Sequence, residues 1–176
     1  MEAIQYPDEL NSFLIHYKYL PALTKKLDDL QDNKFDQDLI NEIVLWKVNR
    51  YVEISGFIAS ALDNVKVLKN GQHRIVEQLL FKLLQINGID LPMASTLLRF
   101  RNPDVFQIID RHAHRAIFGT NYSLYSSSNI NKKIETYFEY IDKLIEICQS
   151  KNLEFKTIDR LLYVFDKKIN GSLSKK

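Results

Sequence analysis

Apolar side chains recur three and four positions apart along nearly the whole chain, which is the spacing of amphipathic helices. The widest apolar stripe runs from Ile75 to Leu84 and predicts a helix that ends near Ile86. Asn87 and Gly88 follow directly, and both residue types are typical of the end of a helix. A second helical pattern begins a few residues later, so two helices are predicted with a very short connection between them.

Polar residues, prolines and glycines divide the rest of the chain into further helices. These are predicted over Glu9–Leu30 with a break at Pro21, from Asp36 or Asp38 through Val48, over Glu53–Val67, from Asp110 to Gly119, over Lys132–Ser150 and over Thr157–Ile169. A polar loop is predicted from Thr120 to Asn131, and residues 170–176 are predicted to form a frayed tail. The chain is therefore predicted to be a single all-α domain over residues 1–176.

The sequence "NGID" joins the two central helices and predicts a helix-hairpin-helix motif over about residues 75–101. The second helix of the motif is expected to begin at Leu91 or Pro92 and to end by Arg101, before Asn102 and Pro103. A tight turn exposes successive backbone N–H groups, and the second helix directs its positive end outward. Such a turn is a site for a phosphate.

Two residues of the turn decide how well it suits a phosphate. Gly88 supplies a position where the backbone can take positive φ. Asp90 occupies the second place where glycine would be expected; aspartate tolerates left-handed φ better than most residues, but its charge opposes a phosphate. The alternative interpretation is an ordinary connection between two helices of a bundle.

Composition limits the kinds of site that the chain can build. Of its 176 residues, 45% are apolar and 26% charged, as in an ordinary globular protein. The one cysteine, Cys148, excludes a disulfide framework and a cysteine-ligated zinc or iron–sulfur site, and its apolar context predicts a core position. The formal charge of +2 means that nucleic-acid affinity must come from a local patch. No apolar run of membrane-spanning length and no signal-peptide pattern occur, which predicts a cytoplasmic location.

Asp110 begins the helix that contains both central histidines. Aspartate is a favourable N-cap, and this structural role is compatible with a chemical one. His112 and His114 lie on nearly opposite faces of the helix, so they do not form a metal-binding pair, and His112 is expected to fix the local structure through a hydrogen bond. Arg111 and Arg115 are four residues apart and share a face, where they either contact phosphate together or remain solvated.

Two segments resemble the helix-hairpin-helix DNA glycosylase superfamily. "NGIDLPMAS" (residues 87–95) is similar to the hairpin of that family, and "FQIIDRHAHRAIFG" (residues 106–119) resembles its "VDTHVxRxxxRLG" segment. The sequences "LWKVNR" (residues 45–50) and "TIDRLLYVFDKK" (residues 157–168) look like segments of small, largely uncharacterised relatives. The resemblance extends over about residues 36–168, with a specific core of about 30 residues.

The resemblance implies a fold and a set of functional residues. Asp110 matches the catalytic aspartate, and His112 and Arg115 match the motif histidine and arginine that support it. Pro92 falls where bifunctional members carry a Schiff-base lysine, so a monofunctional N-glycosidic hydrolase without lyase activity is implied. The chain departs from the family pattern at Asp90, in having no cysteine cluster, and in being shorter than most active members.

Nucleic-acid contacts are expected from the hairpin and the arginines near it: Asn87, Gly88, Ile89, Asp90, Leu91, Arg99, Arg101 and Arg111. The implied partner is DNA with a damaged or flipped base, with RNA as the alternative, and no membrane. No metal or iron–sulfur cofactor is expected, although the hairpin carbonyls leave room for a monovalent cation. The aromatic candidates for stacking on a flipped base are Trp46, Tyr51, Phe57, Phe81 and Tyr122.

Three hypotheses about function remain open at this stage. The chain is an enzyme that uses Asp110 on a flipped nucleotide, a non-catalytic module that binds DNA or RNA, or a structural or partner-binding helical domain. An accessible Asp110 beside a cleft would favour the enzyme. A carboxylate paired with Arg115, with no cleft beside it, would favour the structural domain.

Overall fold

A computed structural model describes residues 20–28, 36–48, 51–123, 129–171 and 173, and the regular structure within these ranges is entirely helical. This confirms the all-α prediction. The chain divides into two compact units, residues 1–51 and residues 52–176. A single domain over residues 1–176 stays a prediction.

The described residues contain eight α-helices. They are α1 (Pro21–Asp28) and α2 (Gln37–Lys47) in the first unit, and α3 (Gly56–Asn64), α4 (Glu77–Leu84), α5 (Leu91–Arg101), α6 (Arg111–Phe118), α7 (Ile130–Lys151) and α8 (Ile158–Ile169) in the second. Short 3-10 turns precede or follow several of them, at Val65–Val67, His73–Val76 and Phe155–Thr157.

The first unit has a helix start that the sequence predicts correctly. Asp36 caps α2, because its Oδ1 accepts a hydrogen bond of 2.9 Å from the backbone N–H of Leu39. Trp46 on α2 donates from its indole N–H to the Thr24 hydroxyl of α1 at 2.8 Å. Of the helix predicted over residues 9–30, positions 9–19 and 29–30 lie outside the described residues.

The helix predicted from Ile75 to Ile86 is shorter than expected at both ends. Its first turn is a 3-10 turn over His73–Val76, and α4 itself begins at Glu77. At the other end, the amides of Gln85 and Ile86 bond to carbonyls three residues earlier, at 3.2 and 3.1 Å. Bonds of this kind tighten a terminal turn, so the apolar stripe continues beyond the α-helical part.

The core of the second unit surrounds α7. Tyr137, Tyr140, Ile141 and Leu144 are fully buried along one face of this helix. The neighbouring helices contribute further buried side chains, namely Leu80 and Leu83 of α4, Leu91, Ala94 and Leu98 of α5, Ala113 of α6, and Ile158 and Leu162 of α8. Cys148 is 8% exposed at the end of this core, as predicted. Within the described ranges, none of the helices combines the length and apolar character needed to cross a membrane.

The hairpin turn requires a glycine at position 88. Gly88 has φ of +87°, and a Cβ placed there would lie 3.3 Å from Cγ2 of Val52. Gly71 is a matched control, because its φ is +85° and a Cβ there would meet nothing within 4 Å. We expect Gly88→Ala to lower the free energy of unfolding by about 1–2 kcal/mol and Gly71→Ala by less, measured by urea denaturation. Equal losses at the two sites would show that crowding by Val52 is unimportant.

Candidate functional site

An extended segment, residues 106–110, leads from α5 to α6 through the interior of the second unit. Phe106, Gln107 and Ile109 are fully buried, whereas Ile108 and Asp110 are partly exposed. Buried backbone outside a helix needs hydrogen-bond partners from elsewhere in the fold. The described residues supply them from three helices.

Four of the partners of this segment are side chains. The Ile109 N–H donates to the Ser95 hydroxyl at 3.2 Å, and the Ile108 N–H lies 3.5 Å from Asp159 Oδ2. Tyr137 donates to the Gln107 carbonyl at 3.1 Å and Tyr140 to the Ile108 carbonyl at 2.8 Å. The chain that reaches Asp110 is therefore held from several sides.

The two tyrosines remain protonated at neutral pH and can therefore donate these hydrogen bonds. Burial raises the pKa of Tyr137 and of Tyr140 well above the ordinary value of a tyrosine. The negative charges of Asp159 and Asp110 raise the pKa of Tyr140 further.

Asp110 caps α6 and lies at the edge of a pocket. Its backbone is extended, with φ of −114° and ψ of −178°, and Oδ1 accepts a hydrogen bond of 2.7 Å from the Ala113 N–H. The pocket has a volume of about 210 Å³. Six residues line it: Ile108, Asp110, Asp159, Arg160, Tyr163 and Val164. The Asp110 side chain therefore caps α6 and also lies where a ligand in the pocket could contact it.

One wall of this pocket comes from α8. Asp159 and Tyr163 are separated by four residues, as are Arg160 and Val164, so all four lie on neighbouring parts of one helix face. Asp159 is a second carboxylate in the pocket, with its side chain only 4% exposed. The packing of α6 against α8 brings this wall beside Asp110.

The motif histidine and arginine contact a carboxylate other than Asp110. His112 Nδ1 lies 2.7 Å from Asp166 Oδ2, and Arg115 reaches both oxygens of Asp166 at 2.8–3.2 Å. Asn170 donates to Asp166 Oδ1 at 2.7 Å. His112 makes a hydrogen bond, as expected, but its partner is 54 residues away on α8. Arg115 is directed toward Asp166 instead of sharing a phosphate with Arg111. Asp166, His112, Arg115 and Asn170 together form the Asp166 cluster.

The cluster sets the ionisation of Asp166. Burial alone raises the pKa of this fully buried carboxyl, but hydrogen bonds from Arg115, Asn170 and His112 lower it by more, from 3.8 to about 2. Asp166 is therefore an anion at neutral pH that joins α6 to α8. It stabilises the helix that Asp110 begins.

Asp90 in the hairpin does not adopt the left-handed backbone considered for it. Its φ is −109° and its ψ is 175°, and its carboxylate caps α5 by accepting from the Leu91 N–H at 2.7 Å. The Ile89 N–H bonds to the Ile86 carbonyl at 3.0 Å. The expectation of a second glycine-like position is wrong, because Gly88 alone makes the turn and Asp90 begins the helix.

The charge of Asp90 is compensated by a buried lysine. Lys133 of α7 has a side chain only 4% exposed, and its Nζ lies 2.7 Å from Asp90 Oδ1. We expect Asp90→Gly to destabilise the protein by about 2–3 kcal/mol, because it leaves Lys133 buried without its partner.

The double variant Asp90→Gly/Lys133→Met tests this explanation. Methionine removes the unpaired charge and fills a similar volume, so most of the loss should be recovered in a thermal or urea unfolding experiment. If the double variant were as unstable as Asp90→Gly, the cap on Leu91 and not the ion pair would account for the aspartate.

The predicted arginines differ in their surroundings. Arg99 is 8% exposed, donates to the Lys156 carbonyl at 3.1 Å, and has its Nε 3.8 Å from Asp159 Oδ2. Arg101 pairs with Asp63 Oδ1 at 2.9 Å. Only Arg111 of the three is fully on the surface, in the first turn of α6. The proposed basic surface is therefore smaller than the sequence suggests.

The aromatic side chain in the pocket, Tyr163, is not among the stacking candidates predicted from the sequence. Tyr163 lines the pocket and is 39% exposed, whereas Tyr122 is buried at 6% and Phe57 faces outward beneath Lys82. The spacing of four residues between Asp159 and Tyr163 was available in the sequence. It identifies a shared helix face, but not which helix that face meets.

Among the described residues, no group of three or more histidine, cysteine, aspartate or glutamate side chains is arranged to hold a metal ion. His112 and His114 point to different partners, Asp166 and the Thr120 carbonyl, as their helical spacing predicts. No protein-family model, no curated protein and no solved structure matches the chain.

Proposed function

We propose that the chain is a helix-hairpin-helix DNA-glycosylase-like protein that hydrolyses the N-glycosidic bond of a flipped base, with Asp110 as the catalytic carboxylate. One observation carries the proposal: Asp110 lies at an open pocket with an apolar and aromatic wall, and Arg115 is paired with Asp166 instead of with Asp110. Both features support the enzyme over a structural domain.

The pocket suits the chemistry of a single base. Tyr163, Val164 and Ile108 provide apolar and aromatic surface for a base taken out of its stack. A volume of about 210 Å³ is smaller than the ~300–1,000 Å³ typical of sites for drug-sized ligands, so it favours one ring system. The sugar would remain at the mouth of the pocket.

Asp110 can stabilise the reaction through the oxygen that does not cap the helix. Cleavage of the bond between C1′ and the base develops positive charge on the sugar, and a fixed carboxylate beside it lowers the barrier. Oδ1 accepts from Ala113, so Oδ2 is the oxygen available to the sugar or to a water. The water attacks C1′, the base leaves with the bonding electrons, and Asp110 accepts the proton of the water.

A strand-nicking step is not part of the proposal. It needs an amine that forms a Schiff base with the sugar, and Pro92 occupies the place that matches the family's lysine. Lys133 forms an ion pair with Asp90, with 2.7 Å between Nζ and Oδ1. The product would therefore be an intact strand with an abasic site.

The hairpin and the start of α6 would hold the DNA backbone. Asn87 and Gly88 are exposed at the turn, and Arg111 is exposed beside Asp110. The bonds of Asp166 hold α6 in place, and the pair of Asp90 with Lys133 joins the hairpin to α7. Because Arg111 would bind a phosphate through its charge, we expect binding to weaken as the salt concentration rises.

The test is single-turnover base release from duplexes that carry uracil, deaminated adenine, alkylated bases or oxidised bases. Abasic sites are revealed by alkali, because the protein itself should not cut the strand. Release from at least one duplex, lost in Asp110→Asn, supports the proposal. Salt-sensitive binding without release from any duplex would instead establish a non-catalytic binding module, and absence of both would leave a structural or partner-binding domain.

A further inference from the structure

Asp159 is a buried carboxylate whose hydrogen-bonding capacity is only partly used. Its side chain is 4% exposed, and Oδ1 accepts a short bond of 2.7 Å from the Arg160 N–H. The neighbours of Oδ2 are more distant, with the Ile108 N–H at 3.5 Å and Arg99 Nε at 3.8 Å. An ionised carboxylate offers about four acceptor positions, so at least two remain for a ligand.

Arg99, the ion-pair partner of Asp159, also has hydrogen-bonding capacity that is not used. Arg99 Nε is buried and has no hydrogen-bond partner within the described part of the chain. A buried ion pair with a gap of 3.8 Å provides charge compensation but not a full set of hydrogen bonds. Arg99 Nε therefore lacks an acceptor at hydrogen-bonding distance, and Oδ2 of Asp159 keeps acceptor capacity that Arg99 does not use.

The position of Asp159 makes it suitable for reading a base. It lines the pocket together with Asp110 and Tyr163, one helical turn before the tyrosine. If Tyr163 contacts the face of a base, the edge of that base lies toward the neighbouring side chains of α8. A carboxylate accepts from N–H groups and repels carbonyl oxygens.

We infer that Asp159 determines base specificity, by accepting hydrogen bonds from two adjacent N–H donors on the edge of the flipped base. This inference rests on the proposed function of the pocket. Among the common bases, guanine has such an edge, with N1–H beside the 2-amino group, whereas uracil has one N–H between two carbonyls. The exposed Arg160 on the same wall supplies a donor for the carbonyl next to N1 of guanine.

The test compares three duplexes that differ only in one base, which stands opposite a tetrahydrofuran abasic-site analogue so that it leaves the stack readily. The bases are guanine, hypoxanthine, which lacks only the 2-amino group, and uracil. Dissociation constants are measured by fluorescence anisotropy at fixed salt, with full-length protein carrying Asp110→Asn so that no base is released. A second protein also carries Asp159→Asn.

We expect the protein with Asp159 to bind the guanine duplex about tenfold more tightly than the hypoxanthine duplex, which is the discrimination typical of one good bidentate contact. Asparagine offers one acceptor and one donor, so Asp159→Asn should abolish or reverse this preference. Asp104→Asn is the matched control, because Asp104 is exposed and forms an ion pair with the surface residue Lys156. The control should keep the tenfold ratio.

Two other outcomes would overturn the inference, and they differ in what they say of the proposed function. Tight binding with equal dissociation constants for all three duplexes would refute the role of Asp159 while leaving the nucleic-acid site intact. No binding to any duplex would refute both. The comparison among bases uses the protein with Asp159 in place, so equal binding to all three duplexes would refute the inference even if Asp159→Asn proves unstable.

Discussion

Replacing Asp110 with asparagine is expected to lower the single-turnover rate of base release by a factor of about 10²–10⁴, the range over which one positioned carboxylate contributes to catalysis. Asparagine cannot neutralise the positive charge on the sugar, nor can it accept a proton from water. The measurement is the first-order rate constant with protein in excess, on whichever duplex the wild-type protein cleaves.

The fold should tolerate this change. Asparagine is as good an N-cap as aspartate, so the hydrogen bond to Ala113 N–H can persist through the amide oxygen. Asp36→Asn is a matched control, because Asp36 caps α2 in the same way through Leu39 N–H. Both variants should unfold within about 1 kcal/mol of wild type. A rate unchanged in Asp110→Asn, with an unchanged melting temperature, would remove Asp110 from the chemistry.

Replacing Asp166 with alanine is expected to cause the largest loss of stability, about 3–5 kcal/mol in urea denaturation. The fully buried carboxylate receives hydrogen bonds from His112, Arg115 and Asn170, and alanine would remove the acceptor that these three side chains share. Asp63→Asn is the control, because Asp63 pairs with Arg101 at an exposed position. Exposed pairs contribute about 0–1 kcal/mol. Equal losses in the two variants would contradict a special role for the Asp166 cluster.

The same cluster predicts a dependence of stability on pH. The folded pKa of Asp166 is about 2, below its ordinary value of 3.8. A lowered folded pKa means that the contribution to stability is present above pH 4 and is lost as the pH falls from about 4 to 2. In this window, the free energy of unfolding of wild type should fall more steeply than that of Asp166→Asn. Parallel curves would show that Asp166 does not titrate as its contacts indicate.

Loss of the hydrogen bonds around Asp166 should also change the position of Asp110. His112 and Arg115 lie on α6, two and five residues after Asp110, and their bonds to Asp166 hold this helix against α8. Asp166→Asn should therefore reduce base release even under conditions in which the protein stays folded. This provides a physical role for two motif residues that do not themselves contact the pocket.

The sequence by itself determined most of the helices and their ends. Asp36 and Asp110 were identified as helix starts, and α5 lies within its predicted bounds, from Leu91 to Arg101. These features are predictable because a cap or a proline acts on amides within three or four residues along the chain. The sequence also identified Gly88 as the position of positive φ. What it misjudged locally was Asp90, which resembles a turn residue in sequence but has extended backbone.

Only the tertiary structure decided which side chains meet. Asp166 lies 51 residues from Arg115, and Lys133 lies 43 residues from Asp90, so no local pattern relates them. Asp159 joins Asp110 in one pocket because α8 packs against α6. Arg99 was expected on the surface but is buried beside Asp159, since the face of a helix that is covered depends on its neighbours. Helical periodicity determines which residues share a face, whereas packing alone determines what that face contacts.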